Sequence, residues 1–131
     1  MKITIIAFIA TALVAVAEGP TLEEEKKVAT QRIETTKNLA VVAVDGLCCK
    51  SCAIGVGKKV RKLDFVDLKS LDKGIAIDKE RFLLEVALKD GKRLDHDEIV
   101  KAIRKAGYEP ARIYERDGEK AVSMTPVKKK K

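Results

Sequence analysis

The chain has 131 residues, with 27 Lys and Arg against 20 Asp and Glu, a formal charge of +7. Hydrophobic residues at 46% and charged residues at 36% exclude wholesale disorder and a polytopic membrane protein, and fit one compact domain. Aromatic residues at 4% and no Trp weaken a reading built on base-stacking platforms, and a single His excludes His-rich zinc enzymes and two-His metal helices.

The chain opens MKITIIAFIATALVAVAEGP. Lys2 precedes an apolar run from Ile3 to Val16, which ends in the small-x-small triplet Ala15-Val16-Ala17. A charged start, a short apolar stretch and such a triplet make a secretory signal, so residues 1–17 are expected to be a signal peptide cleaved after Ala17. A membrane-spanning helix needs about 20 apolar residues, and this run is shorter, so an uncleaved anchor is the second reading. Either way the chain is expected to be exported, periplasmic or secreted. Residues 18–37 are polar and charged, with Gly19-Pro20 at their start, and read as a linker or a frayed helix with no visible chemistry.

At Asn38 the character changes. Leu39-Ala40-Val41-Val42-Ala43-Val44 is a short apolar run stopped by Asp45-Gly46, the pattern of a buried strand entering a loop. After a cysteine-rich loop, Cys52, Val56, Val60 and Leu63 recur at helical spacing, although Gly55 and Gly57 each cost a helix about 1 kcal/mol relative to Ala. Phe65 to Leu68 begins a second extended stretch, which Ile75-Ala76-Ile77 continues. Phe82, Leu84, Val86 and Leu88 alternate along a third strand that ends at Asp90-Gly91. Asp95 and Glu98 stand at capping-box spacing before a helix whose apolar face is Ile99, Val100, Ile103 and Ala106, with Gly107 as its stop. Pro110 to Tyr114 reads as a final edge strand. The order β-α-β-β-α-β, with two helices covering one face of an antiparallel sheet, predicts an α+β, ferredoxin-like domain over residues 38–116. Residues 117–131 read as a disordered Lys-rich tail.

All three cysteines fall within five residues, in Gly46-Leu47-Cys48-Cys49-Lys50-Ser51-Cys52. Cys49 and Cys52 form a CxxC unit across a strand-to-helix loop, which puts the second Cys in the first helical turn. Unpaired N–H groups and the positive end of the helix there favour thiolate over thiol, and Lys50 adds a cation. Two converging thiolates without His or carboxylate make a soft, low-coordinate site, suited to Cu(I) or Hg(II) rather than Mg²⁺ or Ca²⁺. A closed zinc site takes four ligands, which one loop of this chain does not supply. Two other readings stay open. A structural disulfide suits an exported protein, but cysteines this close staple little chain. A thiol–disulfide oxidoreductase also uses a CxxC at a helix N-terminus, but the predicted strand order is not that of thioredoxin, and the flanking Trp and intervening Pro of that family are absent.

The loop resembles the heavy-metal-associated domain of soft-metal chaperones, metal-pumping ATPase N-terminal domains and mercuric-ion-binding proteins. The family's Gly-Met-x-Cys-x-x-Cys stands here as Gly46-Leu47-Cys48-Cys49-Lys50-Ser51-Cys52, with Leu47 for Met and Cys48 at the variable position. Ile99 to Glu109, with its Ala106-Gly107-Tyr108 ending, is similar to the family's second helix. The resemblance covers about 75 residues. It implies metal ligation by Cys49 and Cys52, with Leu47 packed inward and Tyr108 beside the metal loop. Cys48 is either a tolerated small residue or a third thiolate. The segment between Leu68 and Phe82 is longer than the family pattern, which implies an extended or irregular hairpin between the second and third strands.

The resulting expectation is an exported metal-binding protein, not an enzyme. It would act as one copy, holding a Cu(I)- or Hg(II)-type ion and passing it by ligand exchange to a membrane metal transporter or another carrier. His96 is expected to be an exposed polar residue, not a ligand. The charge is uneven. Without Lys2 and the five lysines from Lys120 onward, the chain holds 21 basic against 20 acidic residues. A domain that balanced gives no reason to expect nucleic acid as a partner, and only the lysine tail would touch an anionic surface.

Overall fold

The computed structural model describes residues 21–47, 50–117 and 121–128, with only the backbone path for 50–53. The expected signal peptide and Cys48 and Cys49 lie outside the described residues. Among the described residues the elements are α1 (Leu22–Thr35), β1 (Leu39–Asp45), α2 (Lys50–Val60), β2 (Ile75–Asp78), β3 (Leu83–Ala87), α3 (His96–Lys105), β4 (Glu109–Asp117) and β5 (Ala121–Pro126). The strands form one sheet in the order β2-β3-β1-β4-β5, antiparallel at every pairing. Its first four strands, with α2 and α3 as the connections, make the expected ferredoxin-like arrangement.

β1 lies at the centre, and the reason its run is unbroken is that both faces are covered. Ala40, Val42 and Val44 point into a cluster with Val56 and Val60 of α2 and Ile99, Ala102 and Ile103 of α3. Leu39, Val41 and Ala43 point the other way, onto Ala29 and Ile33 of α1, with Leu83 and Tyr114. Residues 18–37 therefore hold more than a linker. Thr21 caps α1, its hydroxyl accepting from the Glu24 N–H at 3.2 Å, and three acids follow in the first turn at the positive end of the helix.

Few apolar side chains anchor α1, and charged links do the rest. Glu25, 5% exposed, receives Arg112 Nε and Nη2 at 2.6 and 2.8 Å and the Tyr114 hydroxyl at 2.7 Å. Arg32 donates to Asp78 and Glu85 at 2.9 and 3.0 Å. Arg116 donates to the Ile33 carbonyl at 2.6 Å, closing one of the last free acceptors of the helix.

Further expectations change. The second strand is only Ile75–Asp78. Phe65 and Val66 are buried as loop residues, with Val66 bridging Leu88 alone. The extra length falls before β2, in turns over residues 67–74 held by Arg61 on the Asp72 and Lys73 carbonyls. The β2–β3 hairpin itself is short, because the Asp78 carboxylate accepts from the Glu80 and Arg81 N–H groups. Phe82 has φ +56°, so β3 starts one residue later than the alternation predicts. Finally, β4 is not an edge. The region read as a disordered tail carries β5, which pairs from Arg112↔Pro126 to Asp117↔Ala121. Among the described residues no helix is long and apolar enough to cross a membrane.

Candidate metal centre

The loop that carries the cysteines starts from a turn the backbone makes possible. β1 ends at Asp45, and Gly46 adopts φ +81°, a conformation that strains any residue with a Cβ. Leu47 then turns inward. It is 0% exposed in the cluster beneath α2 and α3, and its N–H donates back to the Val44 carbonyl at 3.4 Å. The inward packing expected of Leu47 is what the structure has, with one apolar residue pinning the loop to the core.

α2 begins at Lys50, so Cys52 stands in its first turn. The first-turn N–H groups have no helical acceptor, and no acid in that turn competes for them. That environment stabilises a thiolate on any cysteine beside it. Cys48 and Cys49, the other expected ligands, lie outside the described residues between Leu47 and Lys50. Among the described residues, no group of three His, Cys, Asp or Glu side chains is placed to hold a metal ion.

α2 is held close to the sheet. A Cβ on Gly57 would lie 2.8 Å from Ile75 Cδ1, so the glycine permits the approach of helix to β2. Gly55 has nothing within 4 Å of that position, so no packing requires it. Ile54 is 57% exposed at the start of the helix, beside the cysteine end of the domain.

Tyr108 comes to the same end from α3. The Asp95 carboxylate caps α3 by accepting from the Glu98 N–H at 3.2 Å, as the capping-box spacing predicts. Gly107 at φ +91° ends the helix, and the Tyr108 N–H returns to the Ile103 carbonyl at 3.2 Å. This places the Tyr108 ring against the Gly46 turn, where a Cβ on Gly46 would meet Cδ1 at 3.8 Å and Cε1 at 3.9 Å. Arg104 Nη2 and Glu109 Oε1, 2.7 Å apart, tie the helix end to the start of β4 beside it.

His96 lies elsewhere. Its Nε2 is 2.6 Å from Glu115 Oε1. Glu115 follows Tyr114, which pairs with Val41, whereas the loop end of β1 pairs Asp45 with Glu109. The histidine thus sits towards the start of β1, away from the cysteine loop. It is also partnered and about one-third exposed (36%), rather than free in solvent as its position in the sequence suggests. The Glu25–Arg112–Tyr114 cluster was not foreseen. Its one sequence signal is the spacing Glu25, Ala29, Ile33, a helical stripe that buries an acid among small and apolar residues.

No family model matches the chain, and no curated protein matches it. Among solved structures, it is similar to the CopZ metallochaperone at 20% identity and a TM-score of 0.46, over 56% of this chain and 98% of that one. It is also similar to the yeast copper transporter domain CCC2A, solved in the apo and Cu(I)-loaded states. There the identity is 22% and the TM-score 0.45, over 58% of this chain and 97% of that domain.

Proposed function

We propose that this chain is an exported soft-metal carrier that binds one Cu(I)- or Hg(II)-type ion through Cys49 and Cys52 and hands it to a membrane transporter or a second carrier. The observation that carries the reading is the setting of the CxxC unit. It begins just after a buried Leu47 and ends in the first turn of α2, where backbone N–H groups favour thiolates. Soft thiolates in a low-coordinate site select soft ions and leave coordination positions open. A partner's thiolate can then attack the bound ion before either original sulfur leaves, so release does not require a bare ion in water. Cys48 stands within reach along the chain as a third thiolate for a three-coordinate state. Tyr108 shields the Gly46 turn that precedes the ligands.

Export makes oxidation the competing reaction, because a Cys49–Cys52 disulfide holds no metal. Metal loading or a reducing partner would keep the pair available. The export signal in residues 1–17 and a weak contact between the lysine tail and an anionic surface belong to the same reading.

The test is titration of the reduced chain with Cu(I) and with Hg(II) against a competing chelator. One ion per chain is expected, with binding abolished in Cys49→Ser and Cys52→Ser and only weakened in Cys48→Ser. Failure of the reduced protein to take up either ion would sink the carrier reading. Loss of a protein-disulfide reductase activity in the same variants, without metal uptake, would instead support the oxidoreductase alternative.

A further inference from the structure

Among the described residues, β5 ends the sheet with an outer edge that carries no charged side chain and one safeguard, Pro126 at its end. Edge strands are ordinarily blunted by charge, by proline, by bulges or by being very short, because their free N–H and C=O groups invite another strand. The opposite edge, β2, follows that rule: it has four residues and ends on Asp78, whose carboxylate turns the chain back. β5 has six residues, Ala-Val-Ser-Met-Thr-Pro, and no charge, in a chain where 36% of residues are charged.

The free groups can be assigned. The Val127 N–H donates to the Ala111 carbonyl at 2.9 Å, and Ile113 and Glu115 pair with Thr125 and Ser123. By the alternation of an antiparallel ladder, Thr125 and Ser123 bond to β4, and the N–H and C=O groups of Val122 and Met124 point outward. Pro126 falls at an outward position, where its missing N–H costs no bond to β4. The side chains sort in the same way. Val122 and Met124 pack partly exposed on the α1 face, and Thr125 lines the groove between β5 and α3.

We propose that the β5 edge is a homodimer interface, in which two copies pair β5 antiparallel about a two-fold axis through Ser123. In that register Val122 lies opposite Met124 of the partner subunit, and Met124 lies opposite Val122 of the partner subunit. Outward backbone groups then meet outward backbone groups, and apolar side chains meet apolar side chains. Ser123 meets its own copy at the axis. In this register the strand is complementary to itself. Charge on the groove side agrees. α3 runs from Asp97 and Glu98 to Lys101 and Lys105, and the two-fold turns the acidic end of one helix toward the basic end of the other.

The proposal does not depend on the cysteine loop, so it stands or falls separately from metal binding. One strand edge buries less than a standard interface, and a dissociation constant on the order of 100 µM is expected. Sedimentation equilibrium of the chain, kept reduced to exclude cysteine-linked species, should show a reversible monomer–dimer equilibrium. Ser123→Lys puts a cation against its own copy at the axis and should weaken the dimer by about tenfold or more while circular dichroism stays native. A chain that remains monomeric up to about 1 mM, well above that constant, overturns the proposal, as does a dimer that folded Ser123→Lys leaves intact.

Cross-linking supplies a second arm should Ser123→Lys fail to fold. In a background with the three native cysteines replaced by Ser, Ser123→Cys should oxidise to a linked dimer. Thr125→Cys should not, because its copy lies about 13 Å away along the strand, beyond the reach of a disulfide. Equal cross-linking of both variants, or of neither, overturns the register.

Discussion

The Tyr108 ring rests on the Gly46 turn, close enough that a Cβ at Gly46 would touch its edge at 3.8 Å. These residues are far apart in the chain, one at the end of β1 and the other just past α3. Their contact couples the loop that carries the cysteines to the end of the second covering helix. Removing the ring in Tyr108→Ala should therefore loosen the loop without unfolding the domain, since Tyr108 is only partly buried at the rim of the core. Chelator competition should show Cu(I) released faster by about tenfold, equivalent to about 1.4 kcal/mol. Tyr108→Phe keeps the ring and should release the ion at the unaltered rate. Equal effects from both substitutions would mean that the hydroxyl, not the ring, matters.

Gly46 itself should tolerate no replacement cheaply. The neighbouring ring leaves ordinary contact distance for a methyl group, so the cost is conformational and arises from φ +81°. Gly46→Ala should lose about 1–2 kcal/mol in urea unfolding. A loss confined to a few tenths would show that the turn relaxes to a negative φ.

The two glycines of α2 should behave differently from each other. Gly55→Ala places a methyl group in open space and gains helix propensity, so it should stabilise the domain by about 0.5–1 kcal/mol. Gly57→Ala gains the same propensity but meets the Ile75 side-chain end at 2.8 Å, which must move. Its melting temperature should stay near that of the native chain or fall. Identical shifts for the two variants would show that α2 does not approach β2 as closely as the structure has it.

The Glu25 cluster predicts a large effect far from the cysteine loop. Arg112→Ala leaves the Glu25 carboxylate almost wholly buried, with the Tyr114 hydroxyl as its remaining side-chain partner among the described residues, and should cost about 2–4 kcal/mol. Tyr114→Phe removes one hydrogen bond to a charge and should cost about 1–2 kcal/mol. The Tyr114 hydroxyl is itself held above its ordinary range, first by burial and then by its hydrogen bond to Glu25 and that group's charge. Metal stoichiometry should not change in either variant. A change there would link α1 to the cysteine loop.

What was legible in the sequence follows the strength of each pattern. The run from Leu39 to Val44 reads as buried because it is apolar at every position, and both sheet faces turn out to be covered. The cap at Asp95 reads correctly because its chemistry is local. α1 was half legible. Its buried stripe contains an acid and an alanine, and the partners of that acid lie on β4. β5 hid among lysines, with only Val122 and Met124 to mark its alternation. Phe65 and Val66 look like strand residues because they are buried, but they reach the core from a loop. The cysteines needed no fold to be found, since they are neighbours in sequence. The placing of Tyr108 beside Gly46 came from resemblance, because no spacing rule joins two residues across a sheet and a helix.

Two carboxylates around Arg32 should give the domain a pH response of mixed sign. Asp78 is pushed up by burial, but hydrogen bonds from Arg81 and the charges of Arg32 and Arg81 outweigh this and hold it below its ordinary value of 3.8. Glu85 is pushed above its ordinary value of 4.5 by burial. The Arg32 charge offsets only part of that, and the nearby Asp78 charge adds to it. A lowered folded value means that the unfolded chain binds the Asp78 proton more readily. Its stabilising contribution is complete above the ordinary value and is lost as pH falls through the folded one. For Glu85 the folded state binds the proton more readily, so ionisation destabilises at neutral pH and the penalty disappears as pH falls through the raised value toward 4.5. Urea unfolding between pH 7 and pH 3 should then separate the two. The deficit of Asp78→Asn should be largest at neutral pH and shrink below 3.8. Glu85→Gln should be neutral or stabilising at pH 7, with any gain fading toward 4.5. The repulsion between Asp78 and Glu85 is relieved in each single variant but only once in the double, so the double variant should be less stable than the two single effects add up to. A deficit in Asp78→Asn that does not vary with pH would mean that the carboxylate acts there through the hairpin turn at Glu80 and Arg81, and not through its charge.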